Sequence, residues 1–224
     1  MSATISAPGQ SRQRILDRIR LATQSVAQSA PQLAETCEAL PRAYIRHGAL
    51  PSQARIALMI ERLREYDAEV VESTPAALPS VIAAQLAASG KHIFVVPPAL
   101  PAEWLAKGFD WKIDNNLTTA EIELAEGVVT TAFCGVADSG TIVLHHSPAE
   151  GRRVLTLLPD WHLCILRASQ VVETLPEYFD RCQQPPILAT TISGPSATAD
   201  IEMTRIKGVH GPRFLHVILV RDEI

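Results

Sequence analysis

The stretch Thr191-Ile-Ser-Gly-Pro-Ser-Ala-Thr-Ala-Asp200-Ile-Glu202, followed by Gly208-Val-His-Gly-Pro212 and the apolar run Phe214-Leu-His-Val-Ile-Leu-Val220, decides the reading of the fold. Its pattern predicts a strand, a sharp Gly-Pro turn, a helix opening on small hydroxyl residues, a second Gly-Pro loop and a buried final strand. A helix fed by such a turn presents unbonded backbone N–H groups with the macrodipole behind them, an arrangement that suits an anion. Ser193, Gly194, Ser196 and Thr198 are therefore candidate ligand-binding residues. Asp200, about one turn into that helix, is placed to orient donors or to fix the tautomer of His210. The same pattern also describes a well-capped structural helix.

Outward from this ending, short apolar runs alternate with helical spacings. Strands are predicted near Glu69–Glu72, Ile93–Val96 and Trp111–Ile113, with helices near Pro79–Ala88, Pro101–Lys107 and Thr118–Ala125. The middle of the chain is strand-rich, with Val128–Cys134, Thr141–His145, Val154–Leu158 and Leu163–Leu166 joined by short turns. Connections that short imply some antiparallel pairing. A helix over Ser169–Cys182 and a strand over Ile187–Ile192 lead into the ending. The expected architecture is α/β, a single mixed sheet with flanking helices. Residues 1–10 lack periodicity and read as a disordered tail. Residues 11–66 read as a helical appendage, with Ile56, Met59, Ile60 and Leu63 at helical spacing, and 67–224 as the α/β domain.

Composition narrows the chemistry. At 224 residues the chain can bury a sizeable core, built from aliphatics because aromatics make up only 5%. A net charge of -4, with no basic stripe interleaved with aromatics, argues against nucleic acid as a partner. No apolar stretch approaches the roughly 18 residues of a membrane span, and the N-terminus lacks the apolar core of a secretory signal. Arg12, Arg14, Arg18 and Arg20 give the first thirty residues a transit-peptide bias, which a surface helix explains equally well. Cys37, Cys134, Cys164 and Cys182 form no C-x-x-C pair, so no zinc ribbon or cluster site is read, and a cytoplasmic location is expected. No dinucleotide fingerprint or P-loop occurs, and no cofactor is expected in this chain.

Arg152 and Arg153 follow a loop containing Pro148 and Gly151, and a guanidinium fork suits a carboxylate or phosphate. Both are candidate ligand-binding residues, although on the strand expected there only one would face a pocket. His145, His146, His162, His210 and His216 come from separate segments without ligand spacing, so no metal site is expected. His162 and His210 are candidate ligand-contact or proton-transfer groups, His210 being the more catalytic of the two, and His216 in its apolar run reads as a core histidine.

Two stretches carry a resemblance. They are Ala137-Asp-Ser-Gly-Thr141-Ile-Val-Leu144, with Arg152-Arg153 and Leu157-Leu-Pro159-Asp-Trp-His162 downstream, and the Gly-Pro ending itself. Together, and in order, they resemble the LUD-domain family, most closely its lactate-utilisation protein C branch. The resemblance implies a fold similar to sugar-phosphate isomerases and coenzyme A transferases. It also implies the non-cluster component of an L-lactate-to-pyruvate system whose iron–sulfur clusters sit in partner proteins. A small anionic ligand is the expected small-molecule partner. In the related coenzyme A transferases a glutamate in a short turn attacks the thioester, and Asp138 stands in a similar context with Gly140 and Thr141 beside it. Asp138 is thus the catalytic candidate of an alternative, free-standing transferase-like or isomerase-like enzyme, while Asp-Ser-Gly is equally a hairpin turn. A ligand-sensing module without turnover is the third reading.

Overall fold

The computed structural model describes residues 8–23, 37–41, 43–182, 184, 186, 188–198, 206–207 and 211–222. The chain separates into two compact units, Met1–Tyr44 and Ile45–Ile224. In the first, helix α1 (Pro8–Thr23) begins at its proline, earlier than the expected Ser11, because the fixed φ of proline suits a first helical turn. Residues 1–7 of the expected tail lie outside the described residues. Ile15 and Ile19 are exposed on α1, and Arg20 pairs with Asp17 at 3.1 Å.

The second unit contains helix α2 (Ser52–Glu65), whose Ile56, Met59, Ile60 and Leu63 are all buried. They share one core with Ile142, Leu144, Leu215, Val217 and Leu219. The stripe that sequence places on an appendage therefore packs inside the α/β unit. The division accordingly falls between Tyr44 and Ile45, not at the expected 66/67 boundary.

The strands are β1 (Glu69–Ser73), β2 (Ile93–Val96), β3 (Asp110–Ile113), β4 (Gly127–Thr131), β5 (Cys134–Val136), β6 (Thr141–Leu144), β7 (Trp161–Arg167), β8 (Val171–Val172), β9 (Thr190–Ile192), β10 (Ala197–Thr198), β11 (Ile206–Lys207) and β12 (Phe214–Val220). Six form a wholly parallel sheet in the order β1-β12-β7-β4-β2-β3. Alternation along β7 serves two cores. Trp161, Leu163 and Ile165 pack with Leu78, Ile82 and Leu86 of helix α3 (Leu78–Ala88), whereas Cys164 and Leu166 pack with α2. A short helix α4 (Thr119–Glu123) is capped by the reciprocal Thr118–Glu121 box.

Instead of one sheet there are two, with a small hairpin beside them. β5, β6, β8 and β9 form a second sheet in the order β8-β5-β6-β9, and the expected antiparallel pairing is found here, at β5/β6 and β6/β9. The expected strand Val128–Cys134 divides at Ala132-Phe133, where the chain passes from the parallel sheet to the second one. The expected helix over Ser169–Cys182 begins only at α5 (Leu175–Arg181), because Val171–Val172 bond to β5 first. Pro101–Lys107 keeps only a single 3-10 turn, Ala102–Trp104.

Two departures bear on function. Arg153–Thr156 is a 3-10 turn, not a strand. Ala197–Thr198, the predicted first turn of the Gly-Pro helix, is extended and pairs antiparallel with Ile206–Lys207. No helix among the described residues is long and apolar enough to cross a membrane.

Candidate functional site

A cavity of about 360 Å³ lies where β9, the turn Ser193–Ser196, the Arg153–Thr156 turn and the segment Gly211-Pro212 meet the first residues of β7 and β12. Gly194 (φ 93) and Gly211 (φ 99) both take left-handed backbone conformations before a proline, which is what the two Gly-Pro motifs contribute. The Ser196 N–H donates to the Pro212 carbonyl at 2.8 Å, so one motif is tied to the other. That bond, with the extended backbone at Ala197–Thr198, replaces the free N–H groups of the expected helix N-terminus. The anion site read at a helix end is therefore not built over Ser193–Thr198, and Ser193, Gly194 and Ser196 stand instead in the cavity wall.

The structure gathers Arg153, His162, Ser193, Gly194 and Ser196 around this cavity. His162 is only 1% exposed, with Nε2 2.8 Å from Thr130 Oγ1. Burial without a charged partner pushes its imidazole down to about 4, so the ring that lines the cavity is neutral near pH 7. Arg153 is exposed at the rim, and among the described residues its guanidinium has no carboxylate partner. Thr141 Oγ1 lies 2.7 Å from both Ser193 Oγ and Ser139 Oγ, which makes a chain of hydroxyls ending at the cavity.

Other sequence candidates are placed elsewhere. Arg152 grips the buried Asp114 with two bonds, Nε to Oδ2 at 2.7 Å and Nη2 to Oδ1 at 2.5 Å, and also donates to the Leu117 carbonyl. Its fork is occupied by a structural carboxylate, and the strand alternation expected to separate it from Arg153 is absent. Asp138 is exposed in the β5–β6 turn, its N–H donating to the Glu173 carbonyl at 3.0 Å, and it does not line the cavity. Gly140 (φ 60) sits so close to α2 that a Cβ would lie 2.9 Å from the Arg62 backbone carbonyl carbon. The turn thus docks on the helix. Asp200 and His210 lie outside the described residues, and Thr198 is described in its backbone only.

Thr156, Thr190 and Thr191 also line the cavity, although sequence reasoning gave none of them a role; Thr191 opens the Gly-Pro stretch, and the other two belong to no motif. Sequence reasoning also left His146 without a role except as an unsupported metal ligand. His146 Nδ1 is 2.8 Å from the Gly151 carbonyl and Nε2 is 2.8 Å from Thr190 Oγ1. His145 points to different partners, stacking on Phe133 and bonding the Tyr178 hydroxyl at 2.9 Å. Its backbone N–H meets the buried Glu150 carboxylate. No group of three His, Cys, Asp or Glu among the described residues is arranged to hold a metal. His216, read from sequence as a core histidine, is half-buried: it packs against Trp161, bonds Gln85 at 3.3 Å and lies 3.4 Å from the exposed Glu69 carboxylate.

The arrangement offers one cation, several hydroxyls and a neutral imidazole in a small cavity. That set suits a compact anion bearing further hydrogen-bonding groups.

The chain is similar to known proteins. A family model described as the LUD domain matches residues 56–220. The chain is 39% identical over 166 residues to a protein from Deinococcus radiodurans named lactate utilization protein C, covering 71% of this chain and 76% of that one. It is 34% identical to the Bacillus subtilis protein of the same name, where the match covers 55% of this chain and 56%, about half, of the relative. A crystal structure of a DUF162 family protein from Deinococcus radiodurans superposes with a TM-score of 0.65 at 33% identity, covering 77% of this chain and 99% of that one.

Proposed function

The chain belongs to the LUD domain family, and from that membership together with the cavity we propose that it serves lactate utilisation by binding a small carboxylate at Arg153. The observation that carries this reading is that Arg153, exposed and without a carboxylate partner among the described residues, lines a hydroxyl-lined cavity, while the neighbouring Arg152 is held by Asp114. A two-pronged donor meets a carboxylate without rearrangement, and the hydroxyls of Thr190, Thr191 and Ser193 supply contacts to the rest of a two- or three-carbon acid. His162, neutral and buried, forms a hydrogen-bonding wall that adds no charge to compete with Arg153. In the same reading the chain works beside iron–sulfur proteins that take the electrons.

Isothermal titration of the purified chain with L-lactate tests the site. Arg153→Gln is expected to weaken binding about tenfold or more, the worth of a charge-assisted hydrogen bond, with an unchanged melting curve. Unchanged affinity in the variant would remove Arg153 from the site. The transferase-like alternative needs a pocket at Asp138, and that carboxylate stands in an exposed turn and does not line the cavity.

A further inference from the structure

The Thr190 hydroxyl has its direction set by His146. Nδ1 of His146 lies against the Gly151 carbonyl, which only accepts, so Nδ1 carries a ring proton, and in the imidazole form of the side chain Nε2 presents a lone pair. The Thr190 hydroxyl then donates to Nε2, leaving only oxygen lone pairs for any ligand. His146 is held at φ 59, a left-handed conformation uncommon for a residue other than glycine, and its two ring bonds anchor it on both sides. The contrast with Ser193 is instructive. Its hydroxyl belongs to a chain in which either oxygen can donate, so it adapts to a donor or an acceptor alike.

We propose that Thr190, polarised by His146, is the specificity-determining residue of the cavity: it accepts from a hydroxyl next to the ligand's carboxylate, and so favours a 2-hydroxy acid over the corresponding 2-oxo acid. The proposal rests on the anion-site reading above, with Arg153 taking the carboxylate. A 2-oxo acid brings only acceptors to Thr190, and oxygen would face oxygen there. A site built to bond a substrate hydroxyl discriminates strongly against an analogue lacking it, because its own polar group is left unpaired.

The test is titration of the full chain with L-lactate and with pyruvate, for the wild type, Thr190→Val and His146→Asn. Valine keeps the shape of threonine without its hydroxyl. Asparagine tolerates the left-handed backbone but cannot span from Gly151 to Thr190. The wild type is expected to prefer lactate by about tenfold, the worth of one hydrogen bond made or missed. Both variants should bring the ratio towards one through weaker lactate binding, whereas Arg153→Gln should weaken both acids and leave the ratio intact. Ring 15N shifts of His146 in the wild type should report the Nδ1–H tautomer, a readout that does not depend on the variants folding. Equal affinities in the wild type, an unchanged ratio in Thr190→Val, or an Nε2–H tautomer would overturn the proposal while leaving the anion site standing. Binding of neither acid would overturn both.

Discussion

A histidine buried without a countercharge couples the site to pH. The His162 imidazole is held at about 4 in the folded chain against an ordinary value of 6.5, and burial is the cause. Between those values the unfolded chain takes up a proton that the folded chain refuses, so stability is complete above about pH 6.5 and is lost as pH falls towards about 4. Across that window the shift corresponds to about 3 kcal/mol. His162→Gln retains a partner for Thr130 without the titrating ring. Urea midpoints measured near neutrality and at about pH 5 should therefore fall less in the variant than in the wild type. His145 and His216, also lowered by burial, titrate in both proteins and cancel in the difference. Equal losses in the two proteins would mean that His162 is hydrated in solution.

At the scale of elements, the strands whose signal is a run of β-branched and aliphatic residues were readable, and those made by context were not. Ile93–Val96 and Phe214–Val220 stand where their sequences place them. The apolar cluster Val154, Leu155, Leu157 and Leu158 suits a strand or a tight helical turn equally, and burial of Leu155 in the core with Val95 and Ile122 settled it as the turn. The Gly-Pro ending misled for a related reason. Its small hydroxyl residues suit a helix cap, but the Ser196 N–H is claimed by Pro212, a partner sixteen positions away that local pattern cannot show. The site was legible in the same measure. Arg153, His162 and Ser193 carried chemistry visible in sequence, whereas the part played by Thr190 depends on His146 across the β6–β9 pairing. Gly127 is a further element-scale feature beyond the sequence signal. It opens β4 one residue ahead of the expected Val128, paired with Phe94 on one side and Trp161 on the other. A Cβ there would lie 2.9 Å from the Trp161 ring and 3.0 Å from that of Phe94. The two rings meet edge to face at 5.7 Å over the glycine. Gly127→Ala is expected to cost about 2 kcal/mol by overpacking, read as a lowered thermal midpoint; a midpoint equal to wild type would mean that the rings part without penalty.

At the scale of the α/β unit, the cavity occupies the unexpected end of the parallel sheet. Open α/β sheets hold ligands beyond the carboxyl ends of their strands, yet His162 and Leu215 are the second residues of β7 and β12, and the second sheet's β9 lines the same space. The site therefore depends on the pairing of two sheets, and dinucleotide chemistry does not transfer to it from the parallel sheet alone. Oxidising a 2-hydroxy acid to a 2-oxo acid releases two electrons and two protons, so an acceptor is required. Burial pushes the Cys134 and Cys164 thiols up to about 11 and about 12, which keeps them protonated and poor as cluster ligands. In the proposed reading the acceptor is an iron–sulfur partner. Tagged chain recovered gently from lactate-grown cells is accordingly expected to retain a brown, iron-containing protein, measured by visible absorbance and iron content. Arg153→Gln should be captured with the same partner while failing to support growth on lactate, because the proposed role of Arg153 lies in holding the acid. Recovery of the chain without iron, together with normal growth of the Arg153→Gln strain, would set aside both the partner and the site.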